Sequence, residues 1–424
     1  MKKGAVFIII FLSLLPFLFL LTKTDTLGGF GAGFANISGL MGAVLILWQM
    51  VLGNRFLIRK LTPDYISSIK LHAFLGTFGF FFIMTHPILE LLAYGEKISF
   101  LFLADFSTDF GVYVGLGRSA LYLYLLIWLS SAVIRNKIPY RFWRYLHYLG
   151  YPVLFLVFIH ALNIGTFLNV YPLLRYYWIL LTIVYAVFVV YRLLQLFNYG
   201  KEAYSVISKK INASGITYYA LRPKGKIILP KIGQFCFIKI GKNSESHPFT
   251  VMKSEDKSGN LILGIKTVGK FTNKLLKINI GQTMYIDGPY GIFTKEGHNN
   301  SPKIIIAGGI GATPFVRLVK DFGNSNTFMF YANRYLSDAI YREDFKKVLG
   351  SNYIDLVSRE EVNGENMIKG RLTSEVIRKY IPDIVLHKAN IFVCGSGEFM
   401  SNALKVLKNL GINRGRIYIE EFSL

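Results

Sequence analysis

Residues 68–93 read SIKLHAFLGTFGFFFIMTHPILELLA, a long apolar run that carries two histidines, His72 and His86. A helix rises about 1.5 Å per residue, so this run can cross the roughly 30 Å hydrocarbon core of a bilayer. A second such run, residues 143–164, reads WRYLHYLGYPVLFLVFIHALNI and carries His147 and His160. The sequence therefore predicts two membrane-spanning helices that carry two histidines each.

Four further apolar segments are long enough to span a bilayer. The six predicted spans are 4–22, 34–53, 68–93, 112–134, 143–164 and 171–197. The first follows two lysines and could instead be a cleaved signal peptide. Because no small-residue cleavage pattern follows it, we expect a retained helix.

Basic residues are concentrated in alternate loops, which follow the second, fourth and sixth spans. They are Arg55, Arg59, Lys60, Lys70, Arg135, Lys137, Arg141, Arg144, Arg192 and Lys201. Basic loops stay in the cytosol, so we expect a multi-pass protein of the cell (inner) membrane with both termini cytoplasmic. Part of the net charge of +23 lies in these loops, where basic residues fix the orientation of the spans in the lipid bilayer. We therefore expect no nucleic-acid partner.

The sequence changes character near residue 200, where short β-rich stretches alternate with glycine and charge. Segment 200–298 predicts a small antiparallel β-barrel. Segment 299–424 opens with a strand, a glycine turn and a helix, which predicts an α/β Rossmann-like domain. We therefore expect a multi-domain membrane protein with a six-helix transmembrane bundle over 1–199. The two cysteines, Cys236 and Cys394, do not suggest a disulfide framework or a zinc site.

The four membrane histidines pair by depth, because both of their spans run from inside to outside. His72 and His147 share the inner depth, and His86 and His160 share the outer depth. Two such pairs of facing imidazoles, one at each depth, suit two haems with bis-histidine ligation in a helical bundle. The thirteen-residue spacing in the fifth span turns His147 and His160 about 140° apart on an ideal helix. We expect Pro152 to kink or rewind that helix. Each histidine could instead be a hydrogen-bonded interior residue.

This histidine pattern resembles the ferric reductase-like transmembrane domain shared by NADPH oxidases, metalloreductases and their bacterial relatives. The resemblance implies two b-type haems, with the four histidines as iron ligands on the third and fifth helices. Arg118 lies near the outer end of the fourth span. It would contact an outer haem propionate or attract an anionic species, or it could be an interfacial residue that reaches the headgroups.

Three motifs resemble the FAD-binding domain of the ferredoxin reductase superfamily. HPFT at 247–250 resembles the element along the isoalloxazine, which would place Thr250 near flavin N5. GKFT at 269–272 resembles the pyrophosphate loop, and GPYG at 288–291 resembles the domain-junction turn. The implied FAD-binding residues are His247, Pro248, Phe249, Thr250, Lys266 (where relatives often carry arginine), Gly269 and Thr272.

The segment GGIGATP at 308–314 follows a strand-like run and opens a helix, the context in which a glycine turn binds a pyrophosphate. The implied cofactor residues are Gly308, Gly309, Gly311, Thr313 and Pro314. Ser358 and Arg359 resemble the superfamily's pair for a 2′-phosphate, and Arg334 follows the strand where an NAD-specific domain would carry an acid. We therefore expect NADPH rather than NADH, although arginines at strand ends are common.

Cys394 and Gly395 resemble the superfamily's element beside the nicotinamide, with Ser396 where proline is usual. Phe422 resembles the terminal aromatic that covers the flavin ring. The resemblance implies catalytic roles for Thr250, Cys394 and Phe422. Cys394 could instead be a small buried residue and Phe422 part of a packed final strand.

Taken together, the motifs imply a flavohaem oxidoreductase that carries electrons from cytosolic NAD(P)H through FAD and two haems to an outer acceptor. We expect dioxygen, reduced to superoxide, because the outer loops have no Cys or His cluster for a metal. The alternatives are a ferric- or cupric-chelate reductase and an electron relay to a periplasmic partner. In a further alternative, the helices bind no haem and only anchor the reductase.

Overall fold

The computed structural model describes residues 3–26, 29–62, 64–103, 105–212, 215–241, 244–254 and 258–421. The chain divides into two compact units, Met1–Phe197 and Asn198–Leu424. The first is helical, and the second contains all the strands that the structure describes.

The helices of the first unit are α1 Lys3–Leu18, α2 Gly29–Gly53, α3 Arg55–Leu61, α4 Tyr65–Tyr94, α5 Asp109–Trp128, α6 Tyr140–His147, α7 Gly150–Ile164, α8 Thr166–Val170 and α9 Pro172–Leu196. Six segments in the described ranges are long and apolar enough to cross a membrane, which confirms the predicted spans. They are Val6–Thr24, Gly29–Gly53, Tyr65–Tyr94, Asp109–Val133, Tyr140–Ile164 and Pro172–Leu196. α2 packs against α4, and α5 packs against α7.

The long helix α4 is capped at both ends by its own sequence. At its start, the Ser67 N–H donates to Asp64 Oδ1 at 3.1 Å, which satisfies one of the unpaired amides of a first turn. At its end, Gly95 has φ 65°, the left-handed conformation that glycine adopts without strain.

Two spans depart from regular α-helix close to a histidine. The fourth span ends in a π-helical turn, Leu129–Val133. The fifth span is interrupted directly after His147, where the Leu149 N–H donates to the Leu146 carbonyl, three residues back, at 3.0 Å. His147 and His160 therefore lie on separate helices, α6 and α7, and need not share one helical face.

The strands from Glu202 to Tyr290 form a closed six-stranded antiparallel barrel in the order β1-β2-β5-β4-β3-β6. Its strands are β1 Glu202–Ile211, β2 Ile216–Pro223, β3 Phe235–Lys239, β4 Ser246–Ser254, β5 Leu261–Lys266 and β6 Thr283–Tyr290, with helix α10 Lys270–Leu275 after β5. The predicted barrel is confirmed. β4 contains Pro248, and a proline within a run makes it a weak strand candidate from the sequence.

The remaining strands form a six-stranded parallel sheet in the order β10-β9-β8-β7-β11-β12. Its strands are β7 Lys303–Gly308, β8 Thr327–Asn333, β9 Tyr353–Val357, β10 Met367–Lys369, β11 Asn390–Gly395 and β12 Ile417–Glu421. Its helices are α11 Phe315–Phe322, α12 Arg342–Leu349, α13 Ser374–Tyr380, α14 Asp383–Leu386 and α15 Gly397–Asn409. The predicted α/β fold is confirmed.

A buried ion pair ties helix α12 to strand β9. Arg342 Nε and Nη2 each lie 2.8 Å from Asp355 Oδ2. The Tyr353 hydroxyl donates to Asp355 Oδ1 at 2.7 Å. Because Asp355 is only 1% exposed, this carboxylate depends on protein partners in place of water.

Candidate functional site

The structure brings the four membrane histidines together in two pairs. The ring centroids of His72 and His147 are 5.8 Å apart, and those of His86 and His160 are 6.2 Å apart. A metal–imidazole bond is about 2 Å long and the ring centre lies about 1 Å behind the nitrogen, so two imidazoles on opposite sides of one metal have centroids about 6 Å apart. Both pairs match that separation.

Three of the four histidines have Nδ1 next to a main-chain carbonyl. His72 lies 2.8 Å from the Gln49 oxygen, His86 2.9 Å from the Ala35 oxygen, and His160 2.9 Å from the Tyr113 oxygen. A carbonyl only accepts, so each Nδ1 must carry a hydrogen, and in the neutral ring Nε2 then keeps its lone pair. This is the tautomer that an Nε2-ligated metal requires, and the carbonyl also fixes the ring orientation.

A glycine stands four residues after each of these carbonyls: Gly53, Gly39 and Gly117. The Cβ of a helical residue points toward the N-terminus of the helix, over the carbonyl one turn earlier. A Cβ added at Gly117 would lie 2.7 Å from the His160 ring, at Gly39 3.0 Å from His86, and at Gly53 3.6 Å from His72. These glycines therefore expose the carbonyls that the imidazoles reach, a recurring spacing that sequence reasoning did not use.

His147 is held differently. Its Nδ1 lies 3.2 Å from Ser131 Oγ, in the π-helical turn, and the Trp143 indole N–H donates to the same oxygen at 3.0 Å. The rings of Trp143 and His147 are 4.9 Å apart at 30°. In the described part of the chain, no group of three or more His, Cys, Asp or Glu residues could hold a bare metal ion.

Arg118 points toward the loop that precedes α5. Its Nη1 donates to the Leu103 carbonyl at 2.5 Å, and its guanidinium lies 4.3 Å from the Phe100 ring. Its buried Nε has no hydrogen-bond partner among the described residues. Arg118 directly follows Gly117, which abuts His160, so the side chain is close along the helix to the outer histidine pair.

In the barrel, the HPFT segment lies on β4, opposite β3. Thr250 pairs with Phe235, Phe249 with Cys236, and Pro248 with Phe237. The ring of His247 lies 4.1 Å from that of Phe271, and Phe249 lies 6.0 Å from the same ring. This arrangement brings the first and second predicted flavin motifs together on one side of the barrel.

Thr250 is buried, and its Oγ1 has no hydrogen-bond partner among the described residues. A buried unpaired hydroxyl costs roughly 1–3 kcal/mol unless a ligand satisfies it. This orphaned atom therefore fits a bound group that presents a nitrogen or oxygen at that point.

The GKFT segment forms the first turn of α10, and Thr272 accepts hydrogen bonds from the loop that precedes it. Thr272 Oγ1 accepts from the N–H groups of Val268 and Gly269 at 3.0 and 2.9 Å. The Gly269 N–H is therefore engaged within the loop. Lys266, the last residue of β5, pairs with Ile216.

The glycine turn after β7 lies against the end of β11. Gly309 has φ 53°, and a Cβ added at Gly311 would lie 2.5 Å from the Cys394 carbonyl oxygen. Cβ atoms at Gly308 and Gly395 would both meet the Phe399 ring, at 2.8 and 2.5 Å. The close packing of this turn on the Cys394 loop thus requires glycine at these positions.

The end of that turn is organised by Thr313, whose Oγ1 donates to the Ile310 carbonyl at 3.0 Å. Pro314 is helical, with φ −65°, and immediately precedes the first residue of α11. The predicted phosphate loop and the predicted nicotinamide cysteine therefore meet at the carboxyl ends of adjacent parallel strands.

The predicted 2′-phosphate residues also meet at this edge of the sheet. The Ser358 N–H donates to the Asn333 carbonyl at 3.1 Å, and the Arg359 N–H donates to the Arg334 carbonyl at 2.9 Å. The two arginines are therefore neighbours past the ends of β8 and β9, and both side chains are exposed.

Sequence reasoning missed Glu420 on β12. It pairs with Cys394 on β11, it is 4% exposed, and neither carboxyl oxygen has a hydrogen-bond partner among the described residues. Burial raises its pKa to about 8, and burial also raises the pKa of the Cys394 thiol. The predicted aromatic Phe422 lies outside the described residues.

Glu420 also approaches the end of the barrel. A Cβ added at Gly291, in the predicted junction turn, would lie 3.7 Å from Glu420 Oε1 and 3.2 Å from the Phe235 ring. Phe235 is the strand partner of Thr250. The orphaned hydroxyl, the buried carboxyl and the cysteine therefore cluster where the barrel meets the sheet.

Three family models match successive parts of the chain. They are the ferric reductase like transmembrane component over residues 38–158, the oxidoreductase FAD-binding domain over 205–294 and the oxidoreductase NAD-binding domain over 305–405. The order and positions agree with the helical unit, the barrel and the parallel sheet.

Two relatives cover different shares of the chain. Dual oxidase 2 of Rattus norvegicus is 35% identical over 133 residues, 28% of this chain and 9% of that protein. The reductase component of propane 2-monooxygenase from Rhodococcus jostii (strain RHA1) is 26% identical over 208 residues, 46% of this chain and 55% of that protein. The chain thus spans less than two thirds of the length of either. A solved structure, the ferredoxin reductase in carbazole 1,9a-dioxygenase, is 18% identical with a TM-score of 0.45, covering 53% of this chain and 69% of that one.

Proposed function

Because the chain carries a ferric reductase-like transmembrane component followed by oxidoreductase FAD-binding and NAD-binding domains, we propose that it passes electrons from cytosolic NAD(P)H through FAD and two b-type haems to an acceptor outside. The observation that most supports this is that the membrane histidines face each other in two pairs. The ring centroids are 5.8 Å apart for His72 and His147 and 6.2 Å apart for His86 and His160.

The cofactors supply the electron chemistry: nicotinamide gives two electrons together, flavin accepts both and releases them singly, and haem iron takes one at a time. The protein holds and orients them. The imidazole Nε2 atoms would hold the irons, and the carbonyls and the Ser131 hydroxyl at Nδ1 would keep each ring in place.

At the junction of barrel and sheet, Thr250 would donate its hydroxyl hydrogen toward the flavin ring. Cys394 would lie beside the nicotinamide as a neutral thiol, because burial raises its pKa. The buried carboxyl of Glu420, whose pKa of about 8 keeps it mostly protonated at neutral pH, would exchange a proton near the same place. Phe422 would cover the flavin ring, and Arg334, Ser358 and Arg359 favour NADPH over NADH.

We propose dioxygen as the outer acceptor, with two superoxide ions formed for each NAD(P)H oxidised. Two chain features support this. Each haem would be held by two imidazoles, which leaves the acceptor to take electrons without a protein-bound metal site of its own, and the described outer loops bring no metal-binding cluster together. A ferric or cupric chelate is the second candidate, favoured by the description of the transmembrane family.

The proposed location is the cell (inner) membrane, and the loop charges support an orientation with both termini in the cytoplasm. In that orientation the FAD-binding and NAD-binding domains, proposed over 200–298 and 299–424, lie where nicotinamide cofactors are. The helical domain is proposed over 1–199, and Arg118 would lie on the outer side.

The haem proposal is tested by absorbance spectra of the purified full-length protein. We expect a Soret band of low-spin haem and two haems per chain. His86→Ala should remove one of them, whereas His387→Ala, at an exposed histidine of the sheet domain, should leave both. A protein that folds and binds FAD without any Soret band would contradict the haem proposal and favour helices that only anchor the reductase.

The acceptor is tested by NADPH oxidation with superoxide detection, with and without a ferric chelate. Superoxide formation at a rate close to that of NADPH oxidation supports an oxidase. NADPH oxidation that begins only when a ferric chelate is added supports a metalloreductase. Oxidation restored only by a periplasmic extract would contradict both and support an electron relay.

A further inference from the structure

His147 differs from the other three membrane histidines in the group that faces its Nδ1. The other three face main-chain carbonyls at 2.8–2.9 Å. His147 faces the hydroxyl of Ser131 at 3.2 Å, the longest of the four distances. Ser131 reaches this position from the π-helical turn Leu129–Val133, and such turns occur frequently at functional sites.

The Ser131 hydroxyl oxygen is shared between two donors. The Trp143 indole nitrogen can only donate, and it does so to Ser131 Oγ at 3.0 Å. When Nε2 of His147 binds iron, its Nδ1 carries a hydrogen and also donates to Oγ. Both acceptor sites of the hydroxyl are then used, so Ser131 accepts more weakly from His147 than a peptide carbonyl would.

We propose that Ser131 and Trp143 set the redox potential of the inner haem through His147. The inference rests on the proposed function, because it assigns a role toward a haem on the His72–His147 pair. Ser131 and Trp143 are positioning residues: they act on the ligand and do not touch the iron.

The sign of the effect follows from the hydrogen bond. A strong acceptor at Nδ1 makes an imidazole more electron-donating and stabilises ferric iron, which lowers the potential. Removing the Ser131 hydroxyl should therefore raise the potential of the inner haem. Removing only the Trp143 N–H, while keeping an aromatic ring, returns one acceptor site to Ser131 and should lower it.

The test is a redox titration in full-length protein that carries His86→Ala, so that the inner haem is the one observed. Ser131→Ala should raise the midpoint potential; a change of about tenfold in the ferric-to-ferrous ratio corresponds to about 59 mV for one electron. Trp143→Phe should shift it in the opposite direction. Ser130→Ala is the matched control, because Ser130 donates to the Ile127 carbonyl at 2.9 Å and does not face His147.

The outcomes separate this inference from the proposed function. Absence of a Soret band in the unmodified protein contradicts the proposed function itself. With haem bound, equal potentials in Ser131→Ala, Trp143→Phe and Ser130→Ala, or shifts of the first two in the same direction, overturn the inference alone. If Ser131→Ala loses haem, the Trp143→Phe shift decides, since that variant keeps the hydroxyl.

Discussion

Replacing Glu420 by glutamine should remove a destabilisation of the unit Asn198–Leu424 that grows with pH. The pKa of Glu420 rises from its ordinary 4.5 to about 8 because the carboxyl is buried. A folded-state pKa above the unfolded value means that stability falls as pH rises from about 4.5 to about 8, because ionisation is easier in the unfolded chain.

The size of the effect follows from these two pKa values. Each pH unit between them costs about 1.4 kcal/mol, so the charge destabilises the fold by roughly 3 kcal/mol at pH 7 and roughly 5 kcal/mol well above pH 8. A glutamine amide keeps the shape without this charge. It still leaves a buried amide with unmet hydrogen bonds, which costs about 1–3 kcal/mol at every pH. Only the pH-dependent part of the stability difference between Glu420→Gln and the unmodified protein therefore tests the raised pKa of Glu420.

The assay is thermal unfolding of the full-length protein between pH 5 and pH 8.5, with the transition of the unit Asn198–Leu424 followed by intrinsic fluorescence. A domain of 150–250 residues shifts by about 2–4 °C per kcal/mol. The difference in Tm between Glu420→Gln and the unmodified protein should therefore widen by roughly 10 °C from pH 5 to pH 8. Glu421→Gln, at the exposed neighbouring position, should show no such widening. Parallel Tm curves for Glu420→Gln and the unmodified protein would refute the reasoning.

Three further outcomes are expected. Thr250→Ala should slow flavin reduction by NADPH about fivefold, the equivalent of roughly one hydrogen bond, and Thr250→Ser should keep the rate of the unmodified protein. Stopped-flow absorbance at equal FAD content measures this, and equal rates in all three proteins would contradict the proposed role of Thr250. Gly117→Ala should reduce haem content, because the added Cβ would lie 2.7 Å from the His160 ring, whereas the Cβ of Gly53→Ala would lie 3.6 Å from His72 and should leave the haem content unchanged. The haem content per chain measures this, and an equal loss in both variants would contradict the prediction. Arg342→Ala should destabilise the sheet domain by about 3–5 kcal/mol, because it leaves a buried carboxylate without its cation; an unchanged Tm would show that the pair contributes little.

Much of the architecture could be predicted because its signals are periodic and local. Six apolar runs and the alternation of basic loops indicate the bundle without any knowledge of contacts. The depth pairing of His72 with His147 needed only helix rise and span direction. The glycine turn at 308–311 could be placed because a strand precedes it and a helix follows it.

The remainder depends on contacts between distant segments. The interruption after His147 is an exception: it lies at Tyr148 and Leu149, one turn before Pro152, and a proline removes the hydrogen bond to the carbonyl four residues back and clashes with it. Strand β4 is hard to predict, because Pro248 lowers the strand propensity of its own motif. The buried state of Glu420 follows from its pairing with Cys394, and a glutamate near a chain terminus is ordinarily exposed. The carbonyl contacts of the histidines come from α2 and α5, which the histidine spacing does not reveal.

Both imidazole pairs lie between the same two spans, with fourteen residues separating His72 from His86. That spacing separates the pairs by about 21 Å along the helix axis, which is most of the thickness of the hydrocarbon core. On the proposed function, each electron that moves from one pair to the other carries charge across the membrane's own electric field. With the interior negative, a full crossing of the field would release about 2.3 kcal/mol per 100 mV, so a step across about 21 Å of the roughly 30 Å core releases about 1.6 kcal/mol per 100 mV. Turnover is thus an outward electron current that depolarises the cell, and sustained activity requires an accompanying flow of protons or other cations.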